Sequence, residues 1–353
     1  MTQTPSLFRP SSRARASAVA WCLLLAPILG CGGGDGDARA GKQFLSLGTA
    51  PPGGAFFVVG GALAEVLNQH GAGSWEVTAE ATKGSKENIR RLDRGEIDLA
   101  LSNAAITYFA VRGERDWEKP YPILSVMTLA PNVALFIAPR SSGVAAIADL
   151  RGKRVVTGPA GAGFEDFLEP LLAAHGIGYA DFTPLNATQA GAVDLLADGA
   201  AAAAFIGGAI PTASITQAAT SQDIVYVPFD PAAVEALVRD YPFFEPATIP
   251  AGTYRGLDRD YQGLDVGSMH LVTAASVPED LIYEVTKTLW ENREAVVERH
   301  PAGRAINPRV AVRDAGTEFH PGAIRFYREI GIWPDPEAGA ADAEAEADGA
   351  GRP

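Results

Sequence analysis

Two glycine-rich turns carry the clearest chemistry in this chain. Gly48-Thr49-Ala50-Pro51-Pro52-Gly53-Gly54 follows the apolar run Phe44-Leu45-Ser46-Leu47, and Gly158-Pro159-Ala160-Gly161-Ala162-Gly163 follows Arg154-Val155-Val156-Thr157. Each turn leads from a strand-like run into a helix-like stretch. A helix entered in this way presents unpaired backbone N–H groups and the positive end of its dipole. Such an end receives an anion, and a carboxylate qualifies as well as a phosphate. Two such turns, about a hundred residues apart, suggest two lobes gripping one ligand.

Polar and aromatic residues cluster around these turns. Thr49 either places its hydroxyl on a ligand carboxylate or caps its own turn, and Gly54 opens the helix beyond it. Thr82 and Ser85 flank Gly84 at another strand-to-helix turn, where Ser85 reads as an N-cap and as a candidate contact. Asn88, three residues on, suits capping, packing between lobes or ligand contact equally. Ser102 and Asn103 end the strand after Asp98 and face the same crevice if the strands run parallel. In the second half, Gly163 and Phe164 offer backbone N–H groups, while Gly208 and Pro211 end a matching strand. Phe56, Phe57 and Phe164 are core residues or walls of the crevice. Lys83 and Arg90 could pair with an anion, but charged side chains near helix starts are usually solvated.

Catalysis would need activated groups, and few are present. The five histidines (His70, His175, His270, His300 and His320) are scattered, with no metal-ligand spacing. There is no Gly-x-Ser-x-Gly elbow, and neither turn ends in the Lys-Ser/Thr of a P-loop. The first turn also lacks Gly-x-Gly-x-x-Gly spacing. A binding protein without cofactor or metal is therefore expected, not an enzyme.

The elements that must position these residues alternate strand with helix. Residues 44–47 read as a buried strand and 55–69 as a helix. Residues 75–81 alternate as a strand, a helix follows from Ser85 to Gly95, and Ile97 to Leu101 is another strand. The second half repeats the plan: strand 154–157, helix 164–175, a helix through Val193 to Leu196, and a strand from Ala200 to Ile206. Alternation of this kind predicts mostly parallel sheets, with ligands beyond the carboxyl ends of the strands. Residues 242–266 are rich in Pro, Gly, Tyr and Asp and read as an irregular connection. A strand at 268–273 and a single long helix from Pro278 to about Arg299 then return to the first lobe. Passages near 130–135 and 264–268 would form a hinge.

Composition bounds the class. The chain has 353 residues, 47% of them apolar, which suffices for one large or two medium domains. Arg9, Arg13 and Arg15 precede an apolar run from Ala16 to Gly30 that is too short for a comfortable membrane span. The run ends in Ile28-Leu29-Gly30-Cys31 and then Gly32-Gly33-Gly34, which resembles a bacterial lipobox. Residues 1–30 are thus expected to be a signal peptide, Cys31 the lipidated first residue, and 31–42 a tether. Loss of the signal removes three arginines and no acid, taking the net charge from −13 to −16, and leaves Cys31 as the sole cysteine, so no disulfide. Residues 334–353 are alanine, glycine and acid with little to bury, and are expected to be disordered. So acidic a chain is a poor nucleic-acid binder.

These fragments, in this order and spacing, resemble the TAXI family of periplasmic solute-binding proteins, the receptors of one class of TRAP transporters. The resemblance runs from about Phe44 to Trp333. It includes Gly48-Thr49 with Gly53-Gly54 and two aromatics, Ala81-Thr82-Lys83-Gly84-Ser85 with Asn88, and Gly95-Glu96-Ile97-Asp98-Leu99-Ala100. Further on stand Asp149-Leu150-Arg151-Gly152-Lys153-Arg154-Val155, Pro278-Glu279-Asp280-Leu281-Ile282-Tyr283 and His320-Pro321-Gly322-Ala323-Ile324-Arg325-Phe326-Tyr327-Arg328-Glu329. His320-Pro321-Gly322 reads as structural.

The resemblance implies an α/β, two-lobe, type II periplasmic-binding-protein fold with a hinge and an interlobe cleft. The first lobe would comprise residues 43–132 and 267–333, the second 133–266. It implies a monomeric periplasmic receptor, lipid-anchored through Cys31, that captures an amino-acid, 2-oxoacid or dicarboxylate-like carboxylate and delivers it to a TRAP permease. The alternative is a lipoprotein that presents its solute to a membrane sensor. The chain departs from the family pattern: Phe56 and Phe57 stand where tyrosines are common, Ala162 and Phe164 replace hydroxyls of the second turn, and Ala202-Ala203 replaces Asp-Ala. A lost hydrogen-bond partner costs about 1–3 kcal/mol for a buried polar group. A smaller, less polar or aromatic-bearing carboxylate is therefore expected instead of glutamate.

Overall fold

A computed structural model describes residues 42–334 apart from 53, 72 and 74. The signal, Cys31, nearly all of the tether, Gly53 and the acidic tail beyond residue 334 lie outside the described residues. Along the chain the elements are β1 (Gln43–Gly48), α1 (Ala55–His70), β2 (Trp75–Glu80), α2 (Ser85–Asp93), β3 (Leu99–Asn103), α3 (Ala104–Arg112) and β4 (Ile123–Thr128). Next come β5 (Val133–Pro139), β6 (Arg154–Gly158), α4 (Glu165–Ala174), β7 (Thr183–Asn186), α5 (Gln189–Ala197), β8 (Ala203–Gly208), α6 (Ala213–Ser221) and β9 (Ile224–Val227). The rest are α7 (Pro231–Asp240), β10 (Phe244–Ile249), β11 (Tyr261–Val266), β12 (Met269–Ala274), α8 (Glu279–Glu291), α9 (Arg293–Arg299) and α10 (Pro321–Glu329).

Two sheets result, and they share one plan. In the first, the order is β2-β1-β3-β12-β4: β1 is parallel to β2 and β3, and β12 runs antiparallel to β3 and β4. In the second, β6 is parallel to β7 and β8, and β5 runs antiparallel to β8. The free edge of β5 is shared, by β11 at Val133–Ala134 and by β9 at Phe136–Pro139. Each sheet is therefore a parallel trio followed by one reversed strand, β12 or β5, beyond which β4, or β9 and β11, run in the direction of the trio again. The antiparallel strands β5 and β12 follow directly on the two passages between sheets, at 129–132 and 267–268.

Two sequence expectations are corrected. Residues 242–266 are not irregular: β10 and β11 pair in full register from Phe244↔Val266 to Ile249↔Tyr261. Pro246 is tolerated because β10 is an edge strand, where a missing N–H costs no ladder bond. The long helix predicted from Pro278 is broken at Asn292, whose φ of −111° and ψ of 25° leave the helical well. Its side-chain amide donates to the Thr288 carbonyl at 2.9 Å, a local bond that competes with the helix.

The apolar core respects the lobes only in part. One cluster joins β1, α1, β2 and the returning helices α8 to α10, with Tyr327 fully buried. The other continues from the second lobe across the seam into α2 and α3. There Tyr108 and Phe109 of α3 meet Phe243 edge-on at 5.1 and 5.7 Å. Aromatic pairs of this kind are worth roughly 0.5–1.5 kcal/mol beyond their buried area. Polar groups tie the passages together as well. Buried Asp265 accepts from the Asn132 backbone N–H (3.0 Å) and the Ser268 hydroxyl (2.5 Å), and Arg313 spans Asp265, Ser268 and Glu245. Burial pushes the Asp265 carboxyl up to about 6, against the pull of Ser268 and Arg313.

Candidate functional site

Both glycine turns lie at the carboxyl ends of parallel strands, β1 and β6, as the doubly wound plan demands. They are braced from within. A Cβ on Gly48 would lie 2.7 Å from Ile97 and 2.8 Å from Asn88, so only glycine lets the strand end pass. The Thr49 hydroxyl donates to the Glu80 carbonyl (2.7 Å), and the Thr49 carbonyl accepts from the Thr82 hydroxyl (3.0 Å) and the Asn88 amide (2.7 Å). Thr82 also accepts the Gly84 N–H at 3.1 Å. Thr49, Thr82 and Asn88 therefore hold the turn together from beneath and do not line the cleft.

The cleft lies between the lobes and encloses about 920 Å³, open solvent at its mouth included. Of the residues singled out in the sequence, Gly54, Phe56, Gly84, Ser85, Asn103, Phe164 and Gly208 line it. Phe57, Ser102, Gly163 and Pro211 do not, like Thr49 and Thr82. For Ser102 the reason is strand alternation, which sends it to the face opposite Asn103. Its hydroxyl pairs with that of Thr107 (2.7 Å), which in turn pairs with Nε2 of His270 (2.8 Å), all buried. Burial drives His270 down to about 3, so its ring is neutral. Asn103 is committed elsewhere: Oδ1 accepts the Ala105 N–H (2.9 Å) to cap α3, and Nδ2 donates to the Gly267 carbonyl (2.6 Å). Ser85 is the first helical residue; Gly84, with φ of 114°, is the N-cap. The Ser85 hydroxyl accepts the Asn103 N–H at 3.0 Å and keeps its own hydrogen to give.

Among the described residues, three helix starts lining the cleft carry no side-chain cap: α1 at Gly54, α2 at Gly84 and α4 at Phe164. By contrast α3 and α5, which also border it, are capped by Asn103 and Thr188. Uncapped starts from both lobes thus turn N–H groups and positive dipole ends on one space. Around them the walls are apolar: Pro51, Pro52, Phe56, Ile106, Phe164 and Phe167. Phe164 leans on Phe167 at 5.0 Å between ring centroids and folds back over Gly158, where a Cβ would run into its ring. Among the described residues, Lys83, exposed at the mouth, is the single charged side chain of the lining.

Both turns line the one cleft, from opposite lobes. A Cβ on Gly84 would lie 3.9 Å from Ala162, and one on Gly208 would lie 3.9 Å from Ala55. So the second turn lies against the start of α2, and the start of α1 lies against the end of β8. The sequence reading missed Asn132, Thr188 and Gln189 in the lining. Thr188 carries a legible signal, a threonine just before a helix, and its hydroxyl accepts the Gly191 N–H at 3.1 Å. Asn132 carries none, because a passage residue is placed only by the packing of two sheets. No cluster of His, Cys, Asp and Glu among the described residues could hold a metal ion, and no helix among them is long and apolar enough to cross a membrane.

The architecture is the two-lobe α/β fold of periplasmic binding proteins. It is shared with PhnD1 from Prochlorococcus marinus in complex with methylphosphonate, at 10% identity over 82% of this chain and 99% of that one, TM-score 0.52. It is shared also with a Xanthomonas citri protein bound to ATP, at 11% identity over 82% and 97%, TM-score 0.50. The alkanesulfonate-binding protein SsuA from Xanthomonas axonopodis pv. citri, bound to MOPS, is 19% identical over 83% and 81%, TM-score 0.48. A model of the NMT1-like family matches residues 47–331, and the chain belongs to that family.

Proposed function

We propose that this protein is an extracytoplasmic solute receptor that captures a small carboxylate between its lobes and hands it to a membrane permease of the TRAP class. The observation that carries this reading is the convergence of three uncapped helix starts, from both lobes, on one apolar cleft. Backbone N–H groups can hold one anionic head without an arginine. The Ser85 hydroxyl hydrogen and the Asn132 amide are further groups able to meet a ligand's polar atoms.

The walls favour an apolar body behind that head. A second carboxylate, as in glutamate or 2-oxoglutarate, would meet Phe56, Phe164 and Phe167 without a partner. An unpaired buried charge is far costlier than a lost neutral hydrogen bond. Ligand contact first with one lobe and then with the other would shift an open–closed equilibrium, and the closed form is what a permease would recognise. The TAXI-like motifs favour a TRAP partner, and Cys31 would anchor the receptor at the membrane. A Cys31→Ser chain still recovered in the membrane fraction would refute that anchor.

A thermal-shift screen of amino acids, 2-oxoacids, dicarboxylates and arylcarboxylates tests the function. Bound ligand stabilises by RT ln(1 + [L]/Kd), about 2.7 kcal/mol at a hundred times Kd. Stabilisation by at least one carboxylate is expected, with monocarboxylates of apolar body ahead. Stabilisation by phosphonates or sulfonates and by no carboxylate would overturn the reading.

A further inference from the structure

Beside the cleft the same two lobes form a second space, and its chemistry is opposite. It is lined by Lys86 and Arg90 of α2, Arg115 and Asp116 after α3, and Glu165, Asp166 and Glu169 of α4. The second glycine turn divides the two spaces, since Ala162 lines the cleft and Gly161 lines this seam. Whatever brings the turn home against α2 must therefore close both.

Asp166 stands out within the seam. Its side chain is 2% exposed, Oδ1 lies 3.8 Å from Nζ of Lys86, and Oδ2 has no hydrogen-bond partner among the described residues. Lys86, itself 8% exposed, is already held by Asp116 at 2.8 Å. The lysine is thus shared, and its shorter bond goes to the other carboxylate. A buried carboxylate with a free oxygen and a distant, shared cation is poorly compensated. The groups facing it from the first lobe are Lys86 and Arg90 on α2, and Arg115, Asp116 and Trp117 after α3. From its own lobe come Glu165 and Glu169 on α4 and Tyr179 on the turn at 179–181, whose hydroxyl is likewise buried without a partner. Parting of the lobes would withdraw the first-lobe groups, Lys86 and Asp116 among them, and expose the carboxylate to water.

We propose that Asp166 is a proton-binding site coupled to lobe closure: the carboxylate is ionised and hydrated in the open receptor, and takes one proton from water as the first lobe covers it. Burial holds its carboxyl up at about 7 where the first lobe covers it, with Lys86 pulling the other way, against an ordinary value of about 4 in water. The sign follows from linkage. The closed form binds the proton more tightly, so falling pH favours closure between about 7 and about 4 and has no leverage above that window. The closed-to-open ratio rises by up to about tenfold per pH unit there. This rests on closure of the lobes, and not on the ligand being a carboxylate.

Small-angle scattering from the full chain without added ligand, at steps from roughly pH 8 to pH 5, reads the closure directly. The radius of gyration is expected to fall with pH in the wild type. Asp166→Asn is expected to hold the smaller radius at every pH. Lys86→Met should move the transition to higher pH, because the lysine charge is what favours the ionised carboxylate; an Asp166 with a merely structural role would leave the transition where it is. A wild-type radius that is the same at both ends of the range, or an Asp166→Asn chain that tracks the wild type, overturns the proposal. If a carboxylate from the screen compacts the protein while pH does not, the proton site falls and the receptor reading stands; if neither compacts it, both fall.

Discussion

The cleft and the seam are built between the same two lobes, from adjacent residues, yet they obey opposite rules. The cleft is walled by proline, phenylalanine and isoleucine, and Lys83 at its mouth is its single charged side chain among the described residues. The seam has seven charged side chains around it among the described residues. At the glycine turn the boundary is one residue wide, between Gly161 and Ala162. An apolar cleft with converging N–H groups discriminates ligands, because anything charged beyond one head goes unpaired there. A charged seam does not discriminate ligands, since no ligand need touch it. It sets how readily the lobes meet, and under what solution conditions.

The sharpest way to test this division is to wedge the lobes apart where the cleft and the seam meet. A Cβ on Gly163 would lie 2.9 Å from Ile106 on the cleft wall and 3.0 Å from Lys86 of the seam, and its φ of 95° strains any side chain, asparagine least. Gly163→Asn is expected to fold but to resist closure. Overpacking of this kind costs about 1–3 kcal/mol, or roughly five- to 150-fold in ligand affinity. Calorimetry against the best ligand of the screen checks it. Unchanged affinity would mean that ligand capture does not need the seam closed.

A second test separates titration within a lobe from titration between lobes. His270 is fully buried in the first lobe and held neutral, down at about 3. Its proton affinity is depressed in the folded chain, so its contribution is intact above about 6.5 and is lost as pH falls below that, by up to about 1.4 kcal/mol per pH unit. Urea unfolding should show this slope in the wild type, and a His270→Gln chain should be flatter. Scattering, which reads closure, should not respond to the same substitution. A His270→Gln chain that loses pH-dependent closure would move the proton switch out of the seam.

How much of this was legible beforehand follows from range. The glycine turns, the strands entering them and the helices leaving them are local patterns, and β1, β6, α1 and α4 lie within a residue or two of their predicted bounds. Gly54, Gly84 and Phe164 line the cleft because a strand-to-helix turn places them there whatever the tertiary detail. Thr49 and Thr82 look the same in sequence, but their hydroxyls go to backbone carbonyls that only the packing of β1 on β2 brings near. The β10–β11 hairpin was hidden by Pro246 and Gly263, residues that argue against a strand unless its edge position is known. The seam was illegible for a similar reason. Lys86 and Asp166 are eighty positions apart, and nothing local marks either as buried.

Phe164 tests the other side of the comparison, the claim that the cleft selects by its walls. The ring is seated between Gly158 and Phe167 and partly faces the ligand space. Phe164→Ser removes an apolar surface whose burial is worth roughly 1.5–3 kcal/mol and leaves a hydroxyl in its place. About tenfold weaker binding of apolar monocarboxylates is expected, with dicarboxylates weakened less or gaining. A thermal-shift comparison of phenylacetate with glutarate on both chains reads the change. Equal losses for both classes would show that Phe164 supports the cleft without selecting.

The smallest effect belongs to the ion pair at the rim of the seam. Arg115 bonds Glu169 of the opposite lobe at 2.5 Å, but the two side chains are 23% and 52% exposed. Exposed pairs contribute about 0.2–1 kcal/mol, because water and salt compete for both partners. The guanidinium also lies 4.3 Å from the Phe109 ring, a contact that Arg115→Gln would weaken as well. The closed-to-open ratio is therefore expected to fall by no more than about fivefold in Arg115→Gln, and by less at high salt. Scattering at low and high ionic strength checks both statements. A loss as large as that of Gly163→Asn would mean that charge at the rim, and not burial at Asp166 and packing at Gly163, holds the lobes together. The seam would then be a salt-sensitive clasp, with closure following ionic strength more closely than pH.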